Sequence, residues 1–229
     1  MKTIIFDSGP IISLTMNNLL WILEPFKKIN NANFCITPFV KKELVDTPLT
    51  KTKRFMFEAL QVMHYIENKT IKIISNNEIK RQTSKLLEIA NNCFGAFGHN
   101  INIVHEAEMS AIALCLQKNA DALVVDERTA RLLIENPKKL LNILEHTLHT
   151  NVRENKNNIK EFREMTKNVK IIRSVELVTV AYEKGLLDKY LANTPDSKKI
   201  LLESVLWGVK LNGCAVSKRE LEQIIRVEK

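Results

Sequence analysis

Two short runs constrain this chain more than anything else in it. Thr3-Ile4-Ile5-Phe6 and Ala122-Leu123-Val124-Val125 are almost purely apolar, and each stops on an aspartate, Asp7 or Asp126. A strand with one wet face alternates apolar and polar residues. A continuous apolar run reads instead as a strand covered on both faces, as in a parallel sheet between helix layers. Ligands of such sheets bind outside the carboxyl ends of the strands, which is where these two aspartates fall. A carboxylate there is poorly placed for the core and well placed for a hard cation.

The rest of the chain alternates in kind. Residues 3–7 read as a first strand with Ser8-Gly9-Pro10 as its tight exit, and a helical pattern covers 17–29 until Asn30-Asn31-Ala32-Asn33 breaks it. Phe34-Cys35-Ile36 is a second short strand. Thr37 is a good N-cap with Pro38 at the first helical position, opening a helix over 38–45 that carries Glu43 and ends at Thr47-Pro48. An amphipathic helix over 51–67, a strand at 71–74 and a helix over 76–91 follow. Phe94-Gly95-Ala96-Phe97-Gly98 reads as a turn without the spacing of a phosphate-binding fingerprint. A helix over 104–118, the strand 122–126 and a helix over 127–134 complete an α/β pattern with a mostly parallel sheet.

Composition shifts at 136–168, where lysines and arginines alternate with asparagine and glutamate and apolar positions thin out. That segment reads as one or two exposed helices around a polar stretch at 151–158. A strand resumes at 169–172, with helices near 174–184, 197–210 and 217–226. The organisation is thus a core over 1–134, a basic helical insertion over 135–168, and a last strand with C-terminal helices over 169–229.

Lys and Arg number 34 against 26 Asp and Glu, a formal net charge of +8. The surplus favours a polyanionic partner, and its placement says more than its size. Acids stand at strand ends while lysines crowd helices and loops, the arrangement a metal-dependent enzyme acting on a phosphate backbone needs. No run of about 18 apolar residues predicts a membrane span, and the N-terminal apolar run is too short for a signal peptide. Cys35, Cys93, Cys115 and Cys214 lie far apart without a Cys-x-x-Cys, as expected of small buried groups in a reducing cytoplasm. The five histidines form no motif with them, and Trp21 and Trp207 read as core or interface residues.

Gathered carboxylates repel and raise one another's pKa values, so bringing them together needs a cation or another functional reason. Two Mg²⁺ or Mn²⁺ ions about 4 Å apart can activate water and stabilise the leaving oxygen of a phosphodiester, using only three or four carboxylates. Four acids recur here in a fixed order. They lie in Ile4-Ile5-Phe6-Asp7-Ser8, Val40-Lys41-Lys42-Glu43-Leu44, Ala107-Glu108-Met109-Ser110-Ala111 and Leu123-Val124-Val125-Asp126-Glu127. This ordered set resembles the PIN-domain proteins, in particular the VapC-like type common in archaea and bacteria. Segments 175–187 and 216–221 resemble the closing part of the same family.

The resemblance implies a three-layer α/β/α fold with Asp7, Glu43, Glu108 and Asp126 as catalytic, metal-holding acids that converge within about 10 Å. It also implies Mg²⁺ or Mn²⁺ as cofactor, endoribonuclease activity on single-stranded or structured RNA, and a homodimer or a cognate antitoxin as partner. Ser8 matches a hydroxyl that follows the first acid and orders a water at the cation. Two choices stay open: His105-Glu106-Ala107-Glu108 offers either Glu106 or Glu108, and Glu127 can share the role of Asp126. Arg128 and Arg131 serve either phosphate or a helical ion pair such as Glu127 with Arg131. Lys156, Lys160, Arg163 and Lys167 of the insertion are candidate nucleic-acid contacts or a solvated face. A haloacid-dehalogenase-type phosphatase would need a second Asp where this chain has Gly9. The other reading that remains is a catalytically weak PIN-like module that binds nucleic acid or protein.

Overall fold

In the computed structural model, which describes residues 1–228, the first apolar run forms the centre of the molecule. Lys229, the final residue of the 169–229 segment, lies outside the described residues. From β1 (Lys2–Phe6) the chain passes through α1 (Ser8–Met16), a 3₁₀ turn and α2 (Leu23–Ile29) to β2 (Ala32–Ile36). Next come α3 (Pro38–Lys41), a π-helical turn over Lys42–Asp46, α4 (Thr47–Thr50), α5 (Met56–Glu67), β3 (Ile71–Ile73) and α6 (Asn77–Asn91). A hairpin of β4 (Phe94–Ala96) and β5 (His99–Asn100) leads into α7 (Glu106–Lys118) and β6 (Ala122–Val124). The 135–168 region holds the end of α8 (Arg128–Glu135), α9 (Pro137–Leu148), β7 (Arg153–Glu154) and α10 (Lys156–Thr166). β8 (Ile171–Ile172), α11 (Ser174–Glu183), α12 (Ser197–Leu211) and α13 (Lys218–Val227) complete the chain.

The main sheet has the order β3-β2-β1-β6-β8, and every pairing in it is parallel. Ile4 stands opposite Phe34 on one side and Ala122 on the other, so the two apolar runs are direct neighbours. Ile5, Phe6, Leu123 and Val124 are buried, as strands covered on both faces must be. Helices flank the sheet in an α/β/α arrangement, with α7 against β1 and β6 and α2 against β2. The mostly parallel sheet expected from sequence is thus present, and it is parallel throughout.

Local details depart from the sequence reading for identifiable reasons. Helix starts at Ser8 itself, because Pro10 falls in the first turn, where its missing N–H is no loss. The stretch expected as one helix over 17–29 starts only at Leu20, as a 3₁₀ turn that runs into α2, after Asn18 takes a left-handed φ of 53°. Thr47-Pro48 does not end the helix that carries Glu43. The π-helical turn precedes it, and Pro48 sits in the first turn of α4. α5 starts at Met56 rather than at 51, since Phe55 turns left-handed at φ 64°.

The segment expected as a turn at 94–98 is a hairpin. Its two loop residues, Phe97 (φ 53°) and Gly98 (φ 82°), both have positive φ, the pattern of the tightest hairpin loops. β4 pairs on its other side with β7, Phe94 opposite Glu154 and Gly95 opposite Arg153. The 135–168 segment is therefore not helical throughout: it contributes a strand to a second, antiparallel sheet. Its helix α10 packs on α6 and α8 and buries Phe162 and Thr166.

Phe162→Ala should cost about 3–5 kcal/mol and lower the midpoint of thermal unfolding by roughly 6 °C or more. A single cooperative transition is expected. A separate early transition in calorimetry would show that 135–168 folds apart from the core.

Candidate functional site

Asp7 ends β1 and opens α1. Its backbone N–H still donates to the Val124 carbonyl (3.0 Å), continuing the β1–β6 ladder, so its side chain is delivered at the carboxyl edge of the sheet. The residue is 3% exposed, and its Oδ1 is buried without any hydrogen-bond partner. Burial pushes the Asp7 carboxyl up to about 7, helped by the Glu108 and Glu43 charges and opposed by the Ser8 and Gly9 backbone amides. A buried, unpartnered carboxylate oxygen among other carboxylates is a costly arrangement in a native fold.

The neighbouring acids come from separate elements. Glu43 lies in the π-helical turn and is exposed. Such turns, formed by an extra residue in a helix, occur frequently at functional sites. The Ser8 hydroxyl donates to Glu43 Oε2 at 2.8 Å and ties it to the end of β1. Glu108 accepts the His105 backbone N–H at 2.7 Å in the first turn of α7. Burial raises its carboxyl to about 7, the His105 bond opposes that, and the Glu127 and Glu43 charges add to it. A buried pair of hydroxyls, Thr37 and Ser110 at 2.6 Å, fixes the start of α3 against α7 and so sets Glu43 relative to Glu108.

Asp126 sits on the neighbouring strand end but is occupied differently. A β-carbon placed on Gly9 would lie 3.5 Å from Asp126 Cβ and 3.9 Å from Asp7 Oδ2, so both aspartates border that glycine. The Asp126 carboxylate turns toward α11 and accepts the Ser174 N–H and the Ser174 hydroxyl, each at 2.7 Å. Burial raises the Asp126 carboxyl, while Ser174 and then the Cys214 thiol pull it down. The Asp126 carbonyl also accepts the Ala215 N–H at 3.1 Å.

Ser8 and Glu43 are thus hydrogen-bonded, Glu108 and Glu43 act as like charges on Asp7, and Glu127 is a further charge on Glu108. Asp126 is adjacent through Gly9 but bonded elsewhere. Glu106 is exposed and is not among the charges that raise Asp7. Glu127 caps α8 by accepting the Ala130 N–H at 2.9 Å. Arg131 pairs with Glu135 at 3.2 Å, not with Glu127, and reaches the Ala215 carbonyl, while Arg128 is exposed. Ser174 and Cys214 are the partners that sequence reasoning missed. Ser174 had a faint signal, a hydroxyl closing a strand as Ser8 does; Cys214 had none.

Among the described residues, no three His, Cys, Asp or Glu side chains are gathered in ion-holding geometry. The residues nonetheless fit a hard divalent cation in chemistry. The donors are all oxygens, Asp7 Oδ1 lacks a partner, and burial, with neighbouring carboxylates adding to it, raises two carboxyls to about 7.

A family model described as a PIN domain matches residues 3–138. The chain belongs to the PIN-domain family, whose fold is of nuclease type. Searches of curated proteins and of solved structures find no significant match.

In cation-free buffer these two carboxyls make stability depend on pH. Asp7 and Glu108 rise from ordinary values of 3.8 and 4.5 to about 7 in the folded chain. The folded state thus keeps protons that the unfolded chain has released. Their contribution is fully present below about pH 4 and is lost as pH rises to about 7. Asp7→Asn should therefore raise the thermal midpoint at pH 8 by about 5 °C and leave it little changed at pH 4. A lowered midpoint at pH 8 would mean that the Asp7 charge is stabilised in the fold.

Proposed function

We propose that this protein is a metal-dependent ribonuclease that hydrolyses RNA phosphodiester bonds at the carboxyl edge of its sheet. The observation that carries the reading is Asp7: buried, unpartnered at Oδ1 and raised to about 7 beside Glu43 and Glu108. Asp7, Glu43, Glu108 and Asp126 would hold Mg²⁺ or Mn²⁺. Bound there, the cation would supply charge neutralisation at the scissile phosphate and acidify the attacking water. Ser8 orients Glu43 through its 2.8 Å bond, and the His105 N–H holds the Glu108 carboxylate at the edge. Helix dipoles help as well, because α1 and α7 begin at the site and their amino ends favour phosphate.

A second reading rests on Asp126. Each of its oxygens already accepts a bond from Ser174, which leaves less of the carboxylate for a cation and favours a module that binds nucleic acid or protein without cutting it. Exposed Phe57 and Leu60 on α5 support a homodimer or antitoxin contact. No helix among the described residues is long and apolar enough to cross a membrane. The four cysteines are free and buried, which supports a reducing cytoplasm.

Cleavage of a fluorescent single-stranded RNA should require Mg²⁺ or Mn²⁺ and stop with chelator. Asp7→Asn and Glu108→Gln should each slow it by about a hundredfold or more, the cost of losing electrostatic stabilisation of a transition state. Hydrolysis that survives chelation would defeat the reading. RNA binding without cleavage, at any cation concentration, would establish the second one.

A further inference from the structure

A cleft of about 760 Å³ opens between the α8–α9 corner and α10, away from the acidic site. Lys156, Lys160, Arg163 and Lys167 line it from α10. Their spacing of four, three and four residues sets them on one helical face, about 110° around the helix from the side that buries Phe162 and Thr166. Lys138 faces them from the first turn of α9. Three acids also line the cleft, and each has a cation nearby. Glu135 is held by Arg131 at 3.2 Å, and Glu154 and Glu164 sit 3.9 Å from Lys156 and Lys160. Lys138, Arg163 and Lys167 have no ion pair among the described residues. Five cations against three acids leave the cleft positive, and the amino end of the twelve-residue helix α9 adds to it. Ile134 and Ile159 are the apolar lining residues deeper in the fold.

The cleft is joined to the acidic site by the chain itself. α8 starts two residues after Asp126 and ends at Glu135 in the cleft, eight residues or roughly 12 Å along its axis. β7, at the head of α10, pairs with β4, whose hairpin continues through residues 101–105 to Glu108.

We infer that this cleft binds the sugar–phosphate backbone of a single RNA strand outside the bond that is cut. A positively charged groove is what tracks the backbone of a single strand. The inference rests on the nuclease reading for its substrate but not for its test.

The test uses the full chain carrying Asp7→Asn, so that RNA persists. Affinity for a fluorescent single-stranded oligonucleotide is followed by anisotropy between 50 and 300 mM salt, as a series of about six points. In that background Lys138, Lys160, Arg163 and Lys167 are changed to Gln together. Each lost phosphate contact should flatten the slope of log affinity against log salt by about 0.7. A drop of about two to three in slope, with at least about tenfold weaker binding at low salt, is expected. A matched variant with Lys28, Lys80, Lys184 and Lys198 changed to Gln controls for net charge and should keep the parent slope to within about one. Equal losses in both variants, an unchanged slope in the cleft variant, or no RNA binding by the parent would overturn the inference. Preference for duplex over single strand would overturn it too. Cleavage by the chain with Asp7 intact is measured separately, so a failure of the nuclease reading is distinguishable from a failure of the cleft.

Discussion

The carboxyl edge of this protein is organised by the need to bury two aspartates at the ends of adjacent parallel strands. Taking a carboxylate out of water costs several kcal/mol unless hydrogen bonds or charge compensate. Asp126 is compensated within the fold: Ser174 supplies both a backbone and a hydroxyl donor at 2.7 Å. Asp7 is not: its Oδ1 is buried without a donor, and the charges of Glu108 and Glu43 add to the cost. The elements around it are set to hold this unfavourable group in place. The Thr37–Ser110 hydroxyl pair locks α3 to α7, and Ser8 pins Glu43.

The α/β/α architecture was legible because its cause is local. Thr3-Ile4-Ile5-Phe6 and Ala122-Leu123-Val124-Val125 lack polar residues in alternation, and only a doubly covered strand tolerates that. The candidate acids were legible for the same reason, since Asp7 and Asp126 interrupt those runs. The second sheet was not legible. Phe94-Gly95-Ala96 is too short and glycine-interrupted to announce a strand, and its partner Arg153–Glu154 lies more than fifty residues away. The π-helical turn at Glu43 was hidden too, because Pro48 looks like a stop from sequence and becomes an ordinary first-turn proline once the turn precedes it. The bonds from Ser174 and Cys214 to Asp126 depend on how distant elements close, which no local pattern encodes.

The family match ends at residue 138, yet the edge is finished by residues beyond it. Arg173 ties α11 to α13 through Glu176 at 2.5 Å and Glu220 at 2.9 Å. Its guanidinium, like that of Arg131, also reaches the Ala215 carbonyl, while the Ala215 N–H donates to Asp126. The C-terminal helices are thereby fastened to the strand end that carries the acid. They form a backstop behind Asp126 rather than an appendage. The 135–168 segment attaches by a different route, through β7 and the buried Phe162, and faces outward with its cations.

Synthesis proceeds from the amino end, and domains fold as their parts emerge. Asp7, Glu43 and Glu108 leave the ribosome early, and Asp126 soon after them. Ser174 follows 48 residues behind Asp126, and Cys214 and Ala215 later still. A chain halted between Asp126 and Ser174 carries β1, β2 and β6 but lacks the serine that clasps the Asp126 carboxylate. Completion of the acidic edge is thus timed by translation: a partly made copy cannot carry the finished arrangement.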